Sequence, residues 1–298
     1  MVARGVPAGG AGRVGRNSGS GGVGRDGRSG RAQGVDIGLF LHFARLRMRE
    51  RMEYRAAYVF GIVAQIMGWG ANYAVIYLLL HRFRAINGWT WPQIAFLFSL
   101  DLLSYGLGAA VAFSPMVELE QMVADGSFDT ILVRPLDPLL HLAARKYNVG
   151  YLTHIILSGT FLLWSVHVLG VAWMPREVIF VVLAIAGASC LQAAALIAVG
   201  SLAFIVVRTR FAFGLYFTLK GFLAYPVTLY AAGIQWLLTV VVPLAFINFY
   251  PAALVLHKGG AVLPSAAGWA TPLVGLAALL AAYGLFRRGV GHYQGAGG

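Results

Sequence analysis

The chain has 298 residues, of which 59% are hydrophobic and 11% are charged. An ordinary soluble domain carries roughly 25% charged residues, so this composition excludes a water-soluble globular fold. The formal net charge of +12 does not indicate a nucleic-acid partner, because many of the basic residues flank long apolar runs, where lysine and arginine set the orientation of membrane spans.

The first two segments precede any apolar run. Residues 1–34 are dominated by Gly, Arg and Ser, which predicts a disordered tail because nothing there can pack. In 35–56, Leu39, Phe43 and Leu46 recur at helical spacing beside a dense basic run, which predicts a cytoplasmic interfacial helix in contact with membrane lipid. That run places this end of the first span in the cytoplasm and consists of Arg45, Arg47, Arg49, Arg51 and Arg55.

The rest of the chain, 57–290, is predicted to be one transmembrane permease domain. A helix needs about 20 predominantly apolar residues to cross the hydrocarbon core of a bilayer. Six runs meet this requirement, so the fold class is an all-α integral membrane protein with six transmembrane helices. The runs are 57–80, 94–117, 148–174, 178–207, the first part of 211–257, and 261–286.

Residues 233–257 are predicted to form a re-entrant hairpin between spans five and six. Pro243, Asn248, Pro251 and Gly259 supply helix breaks there. A full crossing would give seven spans and leave the basic pair 287–288 outside, against the tendency of basic residues to stay in the cytoplasm. Both termini are therefore expected in the cytoplasm.

The connection at 118–146 is the longest between spans and holds five of the eleven acidic residues. Its sequence G-S-F-D-T-I-L-V-R-P-L-D-P, at 126–138, and F-I-N-F-Y-P-A, at 246–252, resemble the permease subunits of bacterial ABC type-2 exporters in the six-span branch. The resemblance covers roughly 36–290.

The resemblance implies a function for the loop. In that family it docks on a separate ABC ATPase (nucleotide-binding) subunit, which binds ATP and Mg²⁺, and two permease subunits form the substrate pathway as a dimer in the inner membrane. Here Gly126 would allow a tight turn, Phe128 would offer an aromatic anchor, and Asp129 and Arg134 would cap a helix or pair across the interface. The coupling residues are Gly126, Phe128, Asp129, Leu132, Arg134, Pro135 and Pro138.

No catalytic, cofactor or metal motif occurs in the sequence. A P-loop is absent, because none of Lys146, Lys220 and Lys258 follows a glycine. The seven histidines are not at zinc-ligand spacing. We therefore expect a transport subunit rather than an enzyme, with ATP hydrolysis in the partner chain.

Two charged residues, Asp101 and Lys220, fall inside predicted spans. Such residues are costly in hydrocarbon, so they are expected either to pair with each other or to line the substrate route. Asn248 and Tyr250 are the other polar candidates for the pathway.

Two other function classes remain open at this point. Asp125-Gly126-Ser127-Phe128-Asp129 partly matches the paired aspartates of intramembrane lipid-modifying enzymes, although the rest of that motif is missing. An ATP-independent secondary transporter or channel is the other alternative, because such proteins also use intramembrane charges and broken helices. The identity of the substrate, and the choice between homodimer and heterodimer, do not follow from the sequence.

Overall fold

The computed structural model describes residues 55–170, 174–206 and 208–293. The predicted tail at 1–34 lies outside the described residues, as does the interfacial helix at 35–56 apart from its last two positions. Ten α-helices follow one another in the described part: α1 Arg55–Phe83, α2 Trp91–Ala124, α3 Asp129–Leu132, α4 Pro138–Arg145, α5 Leu152–Leu169, α6 Pro175–Ser201, α7 Arg210–Gly221, α8 Ala232–Trp236, α9 Phe249–Val255 and α10 Thr271–His292.

Five helices, α1, α2, α5, α6 and α10, are long and apolar enough to cross a membrane. Local capping fixes where two of them begin. The Gln93 side chain accepts the N–H of Thr90 at 3.1 Å before α2, and Glu177 accepts the N–H of Met174 at 2.7 Å before α6. These bonds satisfy backbone donors that a helix start leaves unpaired. We call the end of the bundle that carries 125–146 the loop end, and the end that carries the turn at 84–90 the far end.

The fifth predicted span differs from the expected continuous helix. Only Arg210–Gly221 is α-helical, and 12 residues rise about 18 Å, well short of the roughly 30 Å hydrocarbon core. Two 3₁₀ turns follow, at Phe222–Ala224 and Val227–Leu229. The carbonyls freed by this break accept other donors: the Tyr230 hydroxyl donates to Phe222 O at 2.9 Å, and the Asn248 amide donates to Leu223 O at 2.7 Å.

A sharp bend follows, inside the region predicted to be re-entrant. The helical segments Ala232–Val241 and Leu244–Val255 meet at 79°. Pro243 lies between them and cannot donate a backbone hydrogen bond, which explains the break. If this bent pair is counted as one span, the candidate spans number six, as predicted. The additional span is then the bent pair and not the straight helix predicted for the first part of 211–257.

Glycines allow α6 and α10 to cross at backbone contact. A Cβ on Gly187 would lie 2.5 Å from the Cα of Pro272, and one on Gly275 would overlap the carbonyl oxygen of Gly187. Small residues at such crossings are typical of helices that pack in lipid, where backbones approach closely. The backbones of α6 and α10 therefore pack directly against each other and leave no room for a side chain at either glycine.

Replacing Gly275 by Ala should destabilise the bundle, because the added methyl group must push α6 and α10 apart. We expect a loss of about 1–3 kcal/mol in the free energy of unfolding, measured by denaturant titration in mixed micelles. Gly284 lies on the same helix with nothing within 4 Å of its added Cβ. Gly284→Ala should therefore leave stability unchanged or raise it by up to about 1 kcal/mol. Equal effects at both positions would contradict the crossing.

Candidate functional site

The 118–146 loop begins with a tight turn at the end of α2. Gly126 has φ +74°, a conformation that side-chain-bearing residues rarely adopt, as the sequence predicted for this position. Asp125 accepts the N–H of Ser127 at 2.9 Å. Hydrogen bonds from the Ser127 hydroxyl and then from its N–H hold the pKa of the Asp125 carboxyl below its usual value. The turn therefore ends α2 and separates it from α3, which begins at Asp129.

Phe128 anchors the loop inside the chain rather than at a partner surface. Its side chain is 0% exposed. Its ring packs edge-on against Phe204, with centroids 5.3 Å apart, and against Tyr293, at 5.2 Å. The expectation that Phe128 offers an aromatic anchor to another subunit is therefore corrected: the ring attaches the loop to the loop ends of α6 and α10.

Asp137 is the residue that caps a helix in this loop. Its Oδ1 accepts the N–H groups of Leu139 and Leu140 at 3.0 and 3.1 Å, which caps α4. Its Oδ2 accepts the hydroxyl of Tyr283 on α10 at 2.5 Å. Asp129 and Arg134 were expected either to cap a helix or to pair across the interface; Asp129 is the first residue of α3, which has no side-chain cap, and pairing across the interface stays a prediction. The Asp-Pro pair 137–138 is a standard helix start and could have identified this cap.

Apolar side chains project from the loop into the surroundings. Val133 is 85% exposed, and Leu132, Leu136 and Leu140 are also exposed. We call these four residues together with Pro135 the loop patch. Arg134 is exposed beside it. At its edge, burial lowers the pKa of His141, and the positive charges of Arg134 and Arg145 lower it further. The loop patch is therefore apolar, with the exposed basic side chain of Arg134 beside it.

A second polar site lies in the interior of the bundle. Lys220 Nζ on α7 lies 2.5 Å from Asp101 Oδ2 on α2, and both side chains are buried. Gln192 Nε2 on α6 donates to Asp101 Oδ1 at 2.9 Å, and the Tyr216 hydroxyl donates to Gln192 Oε1 at 2.5 Å. We call these four residues the buried network; it joins α2, α6 and α7.

Aromatic rings close around the buried network. Lys220 Nζ lies 4.7 Å from the centroid of the Tyr105 ring. His154 on α5 contacts Tyr105 and Tyr151, with centroids 5.9 and 5.0 Å apart. The sequence left two interpretations of Asp101 and Lys220, which were pairing with each other or lining the substrate route. In the structure the two residues form an ion pair. Gln192, Tyr216 and His154 were missed, because a neutral polar residue inside an apolar run carries no signal of what it contacts.

Asn248 and Tyr250 lie in the bent pair and not in the buried network. Both are fully buried. Asn248 lies directly before α9, and its side-chain amide donates to Leu223 O. The Tyr250 hydroxyl accepts the N–H of Leu263 at 3.1 Å. These two candidate pathway residues therefore attach the second half of the bent pair to the broken fifth span and to the segment before α10. Within the described residues, no three His, Cys, Asp or Glu side chains gather as a metal site would require.

The chain is an all-α multi-pass membrane protein. Its long apolar helices bury an ion pair between them, and an exposed loop lies at one end. The chain belongs to the ABC-2 family of transporter proteins, whose model, described as "ABC-2 family transporter protein", matches residues 66–297. The match includes the loop, the buried network and the bent pair, and it identifies a transport permease. No curated protein and no solved structure matches the chain significantly.

Proposed function

We propose that the chain is the transmembrane permease subunit of an ATP-driven ABC exporter in a bacterial inner membrane. It would form the substrate pathway as a dimer, with both termini in the cytoplasm, and a separate ATPase subunit would dock on its 118–146 loop. ATP and Mg²⁺ would be bound by that ATPase and not by this chain. The observation that carries the proposal is the loop patch, which is exposed and apolar at the end of an otherwise membrane-embedded bundle.

The same loop is attached to three helices of the bundle, which supports a role in coupling. Asp137 binds Tyr283 on α10, and Phe128 packs against the loop ends of α6 and α10. Glu120, at the end of α2, accepts both the N–H and the hydroxyl of Thr209 at 2.7 Å, just before α7. Movement of a docked ATPase would therefore pass through short polar contacts into α10 and α7.

The buried network would keep α2, α6 and α7 together while they move. Asp101, Gln192 and Lys220 connect α2, α6 and α7. A push on the loop end would then displace these helices as one body. Alternating exposure of a pathway would arise between this body and a second permease subunit.

The proposal is tested by co-expressing the chain with P-loop ATPases of its own genome and isolating the complex. We expect one ATPase to co-purify and its ATP turnover to rise on assembly. Tyr283→Phe should leave the ATPase bound but reduce the stimulation of its turnover about tenfold, because it removes a hydrogen bond to a carboxylate, worth about 1.5–3 kcal/mol.

Tyr77→Phe is the matched control for this experiment. Tyr77 is exposed near the far-end terminus of α1, so the same loss of a hydroxyl group should leave the stimulation unchanged. Uptake into vesicles that follows an ion gradient without ATP, and no bound ATPase, would contradict the proposal in favour of a secondary transporter. Normal stimulation in Tyr283→Phe would contradict the coupling route through α10.

A further inference from the structure

A groove between α6 and the 3₁₀ segment Ser265–Ala270, just before α10, opens at the far end of the bundle. It has a volume of about 500 Å³ and is lined by Arg176, Ile179, Phe180, Leu183 and Trp269. We call it the far-end groove. It is separate from the loop and from the buried network, so neither the family nor the proposed coupling accounts for it.

The helix crossing explains why the groove exists. The backbones of α6 and α10 touch at Gly187, where Pro272 and Gly275 leave no room for a side chain. Arg176, Phe180 and Leu183 precede Gly187 at spacings of three or four residues, so they continue the same face of α6. Beyond the crossing, the partner of this face is the 3₁₀ segment Ser265–Ala270, which carries Trp269.

The groove has a floor and one cationic side chain at its mouth. Phe180 is buried, and its ring lies 4.5 Å from that of Trp269. The guanidinium of Arg176 lies 5.0 Å from the Trp269 ring, which orients its planar set of N–H donors. The neighbouring Glu177 carboxylate accepts the N–H of Met174 instead. In the described ranges no ion pair joins Arg176 to a carboxylate.

The lining residues change from charged to apolar along the helix axis. Arg176 is in the first turn of α6, while Ile179 and Leu183 are 59% and 50% exposed and lie deeper. Seven residues of helix separate Arg176 from Leu183, a rise of about 10 Å, which is the distance from the headgroup region into the acyl region of a bilayer.

We propose that the far-end groove binds one glycerophospholipid molecule. Its phosphate would accept hydrogen bonds from the guanidinium of Arg176, and one acyl chain would lie along Ile179 and Leu183. Arginine suits this role because its fork of donors matches the oxygens of a phosphate group. A volume of about 500 Å³ holds the headgroup and the first part of one chain, but not the whole lipid.

Native mass spectrometry of the purified full chain in detergent tests this site. We expect dioleoyl phosphatidylglycerol to bind about tenfold more tightly than dioleoylglycerol, which has the same acyl chains and no phosphate, because only the phospholipid can accept a charge-assisted hydrogen bond from Arg176. Arg176→Gln should remove this difference, and Arg176→Lys should restore part of it. Leu183→Trp should weaken both lipids by filling the apolar part of the groove.

Arg84→Gln is the matched control, because Arg84 is exposed at the far end and lies outside the groove. Its preference for the phospholipid should equal that of the unmodified chain. Equal retention of phosphatidylglycerol in Arg176→Gln would overturn the proposal. Displacement of the lipid by millimolar inorganic phosphate would also overturn it, since that would indicate an anion site to which the acyl chain of the lipid contributes nothing. Neither result bears on ATPase coupling.

Discussion

Replacing Asp101 by Asn is expected to lower the free energy of unfolding by about 3–5 kcal/mol, the usual consequence of removing one partner of a buried ion pair. The variant leaves the Lys220 ammonium group buried without its carboxylate partner at 2.5 Å. The Tyr105 ring, 4.7 Å away, compensates only in part. The measurement is the midpoint of denaturant unfolding in mixed micelles, together with the amount of protein inserted in the membrane.

A double variant separates the charge pair from the shape of the site. Asp101→Asn combined with Lys220→Met removes both charges, so we expect it to recover most of the stability that the single variant loses. A double variant as unstable as the sum of its single variants would show that the pair itself contributes nothing.

A second ion pair, which is partly exposed, provides a control for the effect of burial on the Asp101–Lys220 pair. Lys146 and Glu118 form an ion pair at 2.7 Å, but their side chains are 29% and 42% exposed. Water screens this pair, so Glu118→Gln should cost less than about 1 kcal/mol. An equal effect of Asp101→Asn and Glu118→Gln would contradict the interpretation of the buried network.

The straight spans could be predicted because their signal is local. The length of an apolar run is read directly from the sequence, and five of the predicted runs correspond to α1, α2, α5, α6 and α10. The fifth run is also predominantly apolar, but its α-helix ends at Gly221. Its freed carbonyls are satisfied by Tyr230 and by Asn248, which is 25 residues from Leu223. Pro226 marks the break in the sequence, since the residue before a proline avoids helical backbone, but the long-range contacts that stabilise the break cannot be read from the run itself.

In the candidate site, too, local features could be predicted from the sequence and long-range contacts could not. The turn at Gly126 follows from its residue type, and charges within apolar runs are expected to find partners. By contrast, Asp137 and Tyr283 are 146 residues apart, and the burial of Phe128 depends on Phe204 and Tyr293. The sequence does not say which helix end lies beside the loop. Phe128 was therefore expected to face a partner, while in the structure its neighbours belong to the same chain.

Replacing Val133 by Asp is expected to weaken binding of the ATPase subunit at least tenfold, measured by co-purification and by titration of the two subunits in detergent. Val133 is 85% exposed, so the new carboxylate is fully hydrated in the free permease. Docking an ATPase on the loop patch would remove that water and leave the charge in an apolar contact, which costs far more than an ordinary substitution at the rim of an interface. Leu136→Asp should act in the same direction.

The same exposure predicts that these variants keep their fold. Val133 is nearly free of internal contacts, so the unfolding midpoint of Val133→Asp should match that of the unmodified chain, unlike Asp101→Asn. Val206→Asp provides the matched control, because Val206 is 51% exposed at the loop end, in the connection between α6 and α7 and outside 118–146. It makes the same substitution at the same end of the bundle and should leave ATPase binding unchanged. Weaker binding in Val206→Asp as well would assign the effect to overall charge, and unchanged binding in Val133→Asp would remove the loop patch from the interface.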